Sequence, residues 1–280
     1  MVKLETITSA ANPLLKDVRR AIARGTVTEQ GWCVAETFHL LDEALGSDCE
    51  VKTVLAAESV RPSAEEYWGK LAKWGKLEHR GRLASIKIVV LPDALFDGLS
   101  GTETSQGVMA LVKPPVWKLE QVFRGCPLVV VLDGLQDPGN AGAIVRAAEA
   151  FGATGVLFLK GTASPYNSKT LRASAGSLFR IPYLYGVDRA QARAALEQNR
   201  VALYAAVPQH AGTPARALAE MDLTARCGLI IGSEAHGVSP ELRSAALDIS
   251  IPTVGVESLN AAVAAGILLY EARRQRAFKQ

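Results

Sequence analysis

Short apolar runs and longer amphipathic stretches alternate along the second half of this chain. Residues 128–132, 156–159, 180–185, 201–207, 229–231 and 249–251 are compact runs rich in Val, Ile and Leu. Runs of that length predict strands, and their lack of polar alternation predicts burial on both faces, as in a parallel sheet. Helices are predicted between them over 140–152, 167–179 and 189–199, and a last one over 259–274. In the helix from 140, Ala141, Ile144, Val145, Ala148 and Phe151 fall on one side. At about 100° per residue, Arg146 faces away from that stripe. Repeated βα units imply a mostly parallel sheet covered by helices on both faces.

The first half has the same alternation on a smaller scale. Asn12 and Pro13 open a helix whose apolar side is Leu14, Leu15, Val18 and Ile22. Further elements are predicted as a strand at 33–35, a helix at 37–45 and a strand at 51–56. A helix at 65–77 carrying Trp68 and Trp74 follows, then strands at 86–91 and 104–112. This is the pattern of a small α/β domain over 1–112. Lys113, Pro114 and Pro115 stiffen a connection over 113–125, and a second α/β domain occupies 126–280.

Composition narrows the function classes. Hydrophobic residues at 49% and charged residues at 21% of 280 describe a globular chain of ordinary make-up. No apolar run reaches the length of about 18 residues that a membrane span requires, and the first residues lack the apolar core of a secretory signal. Cys33, Cys49, Cys126 and Cys227 are scattered without a C-x-x-C pair, as expected of reduced thiols in a cytoplasmic protein. A net charge of +3 indicates no partner by itself. Its distribution is more informative: Lys16, Arg19, Arg20 and Arg24 share the first helix, opposed only by Asp17. Such a face is either solvated or built to hold a nucleic-acid backbone. Arg172, in the helix from 167, is a further candidate for RNA contact.

Ligands of parallel sheets bind at the carboxyl ends of the strands. Three glycine-bearing polar loops leave such ends here: DGLQDPGN at 133–140, GSEAHGVSPE at 232–241 and IPTVGVESLNAA at 251–262. Asn140 stands where a helix N-cap is expected. G-x-G-x-x-G follows none of the strands, and Lys160 ends the second strand where a dinucleotide site wants an acid, so NAD is disfavoured. A P-loop and a G-x-S-x-G elbow are also missing. His39, His79, His210 and His236 have no ligand spacing, so a metal is not expected. His236 is either a surface histidine of its loop or a catalytic one. Glu234 suits a general base or a carboxylate that organises loop amides, and Ser258 suits a helix cap or a ligand contact. Chemistry done by placement of reactants, with arginine and amides as the polar groups, is what remains.

These loops resemble the three motifs of the SpoU/TrmH family of RNA ribose 2′-O-methyltransferases, within the SPOUT superfamily. DPGNAGAIVRAAEAFG brings the family's asparagine and arginine to Asn140 and Arg146. IIGSEAHGVSPEL carries Gly232, Glu234 and Gly237, and IPTVGVESLNAAVAAGIL carries Ile251, Pro252, Ser258, Leu259 and Asn260. KTLRASAGSLFRIP at 169–182 is similar to the family as well. ITSAANPLLKDVRR and TSQGVMALV look like the two ends of its RNA-substrate-binding domain. Two positions depart from the pattern: VAET at 34–37 replaces an acidic-glycine step, and Ala262 stands where many members carry a small hydroxyl residue.

The resemblance implies a C-terminal trefoil knot that forms an S-adenosylmethionine pocket, with cofactor contacts at Gly232, Ile251 and Leu259. Val207, at the end of its strand, joins them. It also implies a homodimer, and the small residues Ala261, Ala264, Ala265 and Gly266 suit either close approach of a partner or ordinary packing within the domain. Arg146 is the family's candidate for activating the ribose hydroxyl. A free guanidinium, with a pKa above about 12, is a poor base. A role in stabilising alkoxide and orienting phosphate is therefore preferred, and direct proton removal stays open. Asn140 would hold the arginine or the ribose, while Glu234, Ser258 and Asn260 shape the pocket. Ribosomal RNA is the expected substrate and transfer RNA the alternative. A non-catalytic RNA-binding protein and a nucleotide-dependent dehydrogenase are the competing readings.

Overall fold

The computed structural model describes residues 3–63, 66, 85–100, 105–208 and 215–277. Trp68, Trp74, His79 and His210, and all of the 65–77 helix except Glu66, lie outside the described residues, as does the start of the 104–112 strand. Two compact units divide the chain, Met1–Pro115 with Tyr166–Arg180 and Val116–Pro165 with Ile181–Gln280.

In the first unit, β1 (Lys3–Thr6), β2 (Cys33–Glu36), β3 (Glu50–Ala57), β4 (Lys87–Leu91) and β5 (Val108–Lys113) form one sheet in the order β1-β4-β3-β5-β2. Parallel pairs join β1, β4 and β3, whereas β5 runs antiparallel to β3 and β2. The helix α1 (Pro13–Arg24) starts at Asn12, whose side chain accepts from the Leu14 amide at 2.9 Å, and stops at left-handed Gly25. It buries Leu15, Val18 and Ala21 against Trp32, Val34 and Met109 and leaves Lys16, Arg19, Arg20 and Arg24 exposed. Helix α2 (Phe38–Leu45) is capped by Thr37, and the short α3 (Asp93–Asp97) follows β4.

The segment Tyr166–Arg180 belongs to this unit. Its predicted single helix is cut short, because α6 (Ser168–Ser174) ends where Ala175 and Gly176 turn left-handed. Glycine is required at 176, since a Cβ there would come within 2.5 Å of Glu43.

The second unit begins with α4 (Leu119–Val122), a turn of helix within the stretch expected as linker. Its sheet is formed by β6 (Leu128–Asp133), β7 (Gly155–Leu159), β8 (Tyr183–Val187), β9 (Ala202–Ala206), β10 (Arg216–Ala217), β11 (Cys227–Gly232) and β12 (Leu247–Ser250). The order is β10-β12-β9-β11-β6-β7-β8, and every pair is parallel. The predicted parallel sheet flanked by helices is therefore observed. Helices α5 (Pro138–Ala150), α7 (Arg189–Gln198), α8 (Pro240–Arg243) and α9 (Ala261–Ala277) complete the unit. Apolar side chains of β6, β7, β9 and β11 meet those of α7 in one core around Val131, Leu157, Leu196 and Ile230.

Candidate active site

The sheet changes direction between β6 and β11. From β6 the chain proceeds outward to β7 and β8, while β11, β9 and β12 lie on the other side. Asp133 and Gly232, the last residues of these neighbours, are register partners, so the first two loops leave at one level. Crevices at such a reversal are where parallel sheets bind ligands. The third loop follows β12, which pairs with β9.

A cleft of about 710 Å³ lies beside these loops. Ile231, Ile249, Ile251, Leu259 and Leu268 give it apolar walls, and Glu234, Ser258 and Asn260 add polar groups. Val207 and Gly232 also line it. All four residues expected to touch a cofactor thus face one space. Arg243 borders it too; its bonds to the Asp248 carboxylate raise its pKa.

The side chains from the three loops meet. Asn140 Nδ2 donates to Glu234 Oε1 at 2.8 Å, and Asn140 Oδ1 accepts from Asn260 Nδ2 at 3.0 Å. Asn140 is available for this because it does not cap its helix. The expected cap is corrected to a residue three positions earlier: Asp137 accepts from the Asn140 amide at 2.7 Å, and Pro138 occupies the first helical position. Pro at that position after a short acidic residue is the signal that identifies the cap from sequence. At the last helix the cap is Asn260, whose Oδ1 accepts from the Ala262 and Val263 amides at 2.9 and 3.3 Å, rather than Ser258. Asn260 therefore caps α9 with its oxygen and holds Asn140 with its nitrogen.

The second loop is a tight hairpin. Ser233 and Gly237 exchange backbone hydrogen bonds of 3.0 and 2.9 Å, Gly237 is left-handed, and the His236 amide donates to Ser233 Oγ at 3.1 Å. Exposed His236 sits on the rim of the cleft. Gly232 lies under the hairpin, where a Cβ would fall 2.1 Å from the Gly237 carbonyl carbon.

Arg146 is exposed on α5 and forms no ion pair or hydrogen bond among the described residues. Lys16, Arg19 and Arg24 are exposed in the first unit, where Arg20 is tied to Asp17 and Glu29 at 2.7 Å each. Arg172, expected among the RNA contacts, donates to Glu36 at 2.6 Å and balances a carboxylate that is only 4% exposed. Asp133 and Arg189, which no motif in the sequence marks, are joined at 2.7 Å.

Residues 127–270 match the SpoU rRNA Methylase family. The chain belongs to that family. Residues 12–110 match the MRM3-like substrate binding domain, which precedes the SpoU span. Among SpoU relatives, the 23S rRNA (guanosine(2553)-2'-O)-methyltransferase RlmP of Bacillus subtilis is 31% identical over 277 residues, covering 96% of this chain and 100% of that protein. The 23S rRNA (guanosine-2'-O-)-methyltransferase RlmB of Xanthomonas axonopodis pv. citri is 33% identical over 79% of this chain and 90% of its own. The AdoMet-bound rRNA methyltransferase from Sinorhizobium meliloti superposes with a TM-score of 0.78 at 26% identity, over 97% of this chain and 98% of that one. The SpoU methyltransferase AviRb from Streptomyces viridochromogenes, in complex with AdoMet, gives 0.79 at 25% identity over 95% and 98%.

Proposed function

We propose that this chain transfers a methyl group from S-adenosylmethionine to a ribose 2′-hydroxyl of ribosomal RNA. The observation that carries the reading is the meeting of three loops at one cleft through Asn140, Glu234 and Asn260. The cleft suits the methyl donor. An adenosine and a methionine chain need apolar walls and backbone edges, and the absence of phosphates removes the need for an anion nest. Ile251, Leu259 and Val207 supply wall, and Gly232 lets the second loop fold down beside it. When bound, S-adenosylmethionine supplies a methyl carbon on a positively charged sulfur.

The protein's own task is to make a ribose oxygen nucleophilic and hold it in line. Arg146, six residues beyond Asn140, lies about 9 Å further along the helix axis. Its exposed charge favours a developing alkoxide and an adjacent RNA phosphate, and the hydroxyl proton leaves either through that phosphate or to a deprotonated Arg146. Glu234 and Asn260 fix the Asn140 amide, which orients the ribose. Exposed Lys16, Arg19 and Arg24 hold RNA backbone elsewhere on the substrate.

The same reading includes a trefoil knot around the second and third loops. It is supported by the position of β11 between β9 and β6, both of which precede it in the chain. It includes a homodimer, supported by exposed Val263, Ile267 and Tyr270 on α9. The same reading has the enzyme act in the cytoplasm, supported by the ribosomal RNA substrates named for its relatives. The test is labelled methyl transfer to RNA from a strain lacking this protein, followed by mapping of the modified ribose. RNA binding without transfer rejects the enzyme, NAD binding in place of S-adenosylmethionine rejects the cofactor, and labelling of transfer RNA alone rejects the substrate.

A further inference from the structure

Asp133 ends β6, and none of the chemistry above uses it. Its side chain is 1% exposed. A carboxylate taken out of water persists only when paired and hydrogen-bonded. Both oxygens meet that condition, with partners on different segments. Oδ1 accepts from Arg189 Nε at 2.7 Å, at the first residue of α7. Oδ2 accepts from the Ser239 amide at 2.8 Å, where the second loop ends ahead of α8.

One arginine suffices to balance the charge. The second oxygen, aimed at a loop amide, does something further. The second loop starts at Gly232, the register partner of Asp133, so one residue of β6 stands beside the loop's origin and binds its end. Ser239 Oγ is buried with no hydrogen-bond partner among the described residues, and its carbonyl is taken up by the Leu242 and Arg243 amides of α8, so its own amide makes the tie to β6. The span between these points includes the Ser233–Gly237 hairpin and Glu234, which line the cleft.

We infer that Asp133 is a positioning residue that latches the second loop, setting Glu234 against Asn140 and the hairpin against the methyl donor. Arg189 pairs with the carboxylate and orients it. The inference rests on the cleft being the S-adenosylmethionine site.

Two variants test it. Ser239 has φ −60°, the value proline imposes, so Ser239→Pro deletes the N–H donor and keeps the backbone conformation. Asp133→Asn removes the charge. Hydrogen exchange over 233–239 is measured without ligand, and S-adenosylmethionine affinity by calorimetry. Loss of a hydrogen bond to a charged group predicts about tenfold faster exchange in that segment and about tenfold weaker cofactor binding in each variant. The double variant is expected to be no worse than Asp133→Asn in either readout, because the Ser239 amide then has no charged acceptor left to lose. Wild-type exchange and affinity in folded Ser239→Pro overturn the latch, even if Asp133→Asn does not fold. A fall in melting temperature with both readouts unchanged also overturns it, since that marks a structural ion pair only. If the wild-type protein binds no S-adenosylmethionine, the methyltransferase reading fails, and the exchange rates still decide the latch.

Discussion

Asn140 and Glu234, 94 residues apart in the chain, share a 2.8 Å hydrogen bond from amide to carboxylate. Only the amide nitrogen can donate, so the bond fixes which way the Asn140 side chain faces, and Asn260 agrees by donating to its oxygen. In Asn140→Asp the Asn260 bond survives and two carboxylates face each other. A lost bond to a charged group predicts a fall in kcat/KM of about ten- to a hundredfold. Adding Glu234→Gln supplies a new donor, and the double variant should regain at least about tenfold. A double variant as slow as Asn140→Asp would show that orientation by Glu234 is not what Asn140 needs.

Arg146 stands apart from that network. Its exposure and lack of a partner among the described residues predict that Arg146→Ala leaves folding stability within about 0.5 kcal/mol of the parent. Cofactor affinity should be equally unaffected. The rate should fall at least about a hundredfold if the guanidinium stabilises charge in the transition state. Single-turnover methyl transfer at saturating RNA reads this, and near-normal turnover removes Arg146 from the chemistry.

Gly232→Ala tests the close approach beneath the second loop. Its Cβ would meet the Gly237 carbonyl carbon at 2.1 Å and the Val238 nitrogen at 2.2 Å, and both are backbone atoms that no rotamer change can move. The hairpin must lift. Stability should fall by about 1–3 kcal/mol, as for overpacked cores. S-adenosylmethionine affinity should fall with it, measured by denaturant unfolding and calorimetry. Wild-type affinity would show that the hairpin's seat does not matter to the cofactor.

The parallel sheet of the second unit is legible because runs such as Leu128 to Leu132 have no polar side to turn to water. Glycine and asparagine are ordinary turn formers after strands, so the three loops are legible only because all three motifs occur together and in order. Caps are harder. Asp137 and Asn140 are both good N-caps, and only the proline at 138 separates them. Ser258 and Asn260 compete in the same way. Asp133 could not be read at all, since its partners lie 56 and 106 residues away. Likewise the Arg172 charge looks free along the chain and is balanced by Glu36, 136 residues distant.

Cys227 connects the sheet to pH. It is buried in β11, and burial pushes its thiol up to about 11, against a smaller lowering by Arg276, whose Nη2 lies 3.4 Å from the sulfur. In the unfolded chain the thiol titrates near about 8.5. A raised folded value means that this contribution is complete below the unfolded value and is lost as pH rises toward the folded one. Stability should therefore decline between about pH 8.5 and 11, and decline less in Cys227→Ala. Urea unfolding of both proteins across that range reads the difference. Parallel curves would show that the thiol has no part in it.

Thr37 carries the most unusual backbone in the first unit, with φ 124° and ψ 150°. That region is open to glycine and strained for a β-branched residue, at a cost of about 1–3 kcal/mol. Thr37 repays part of the strain by capping α2, its hydroxyl accepting from the Leu40 amide at 3.1 Å. Thr37→Gly removes the strain, loses a few tenths of a kcal/mol at the cap, and gives up about 0.5–1 kcal/mol in unfolded-chain entropy. The strain is the largest of the three. Thr37→Ala keeps the strain and loses the cap, at about 1 kcal/mol. Melting temperatures should therefore rank Gly above Thr above Ala. A glycine variant less stable than the alanine variant would mean that the hydroxyl, and not the backbone, decides this position.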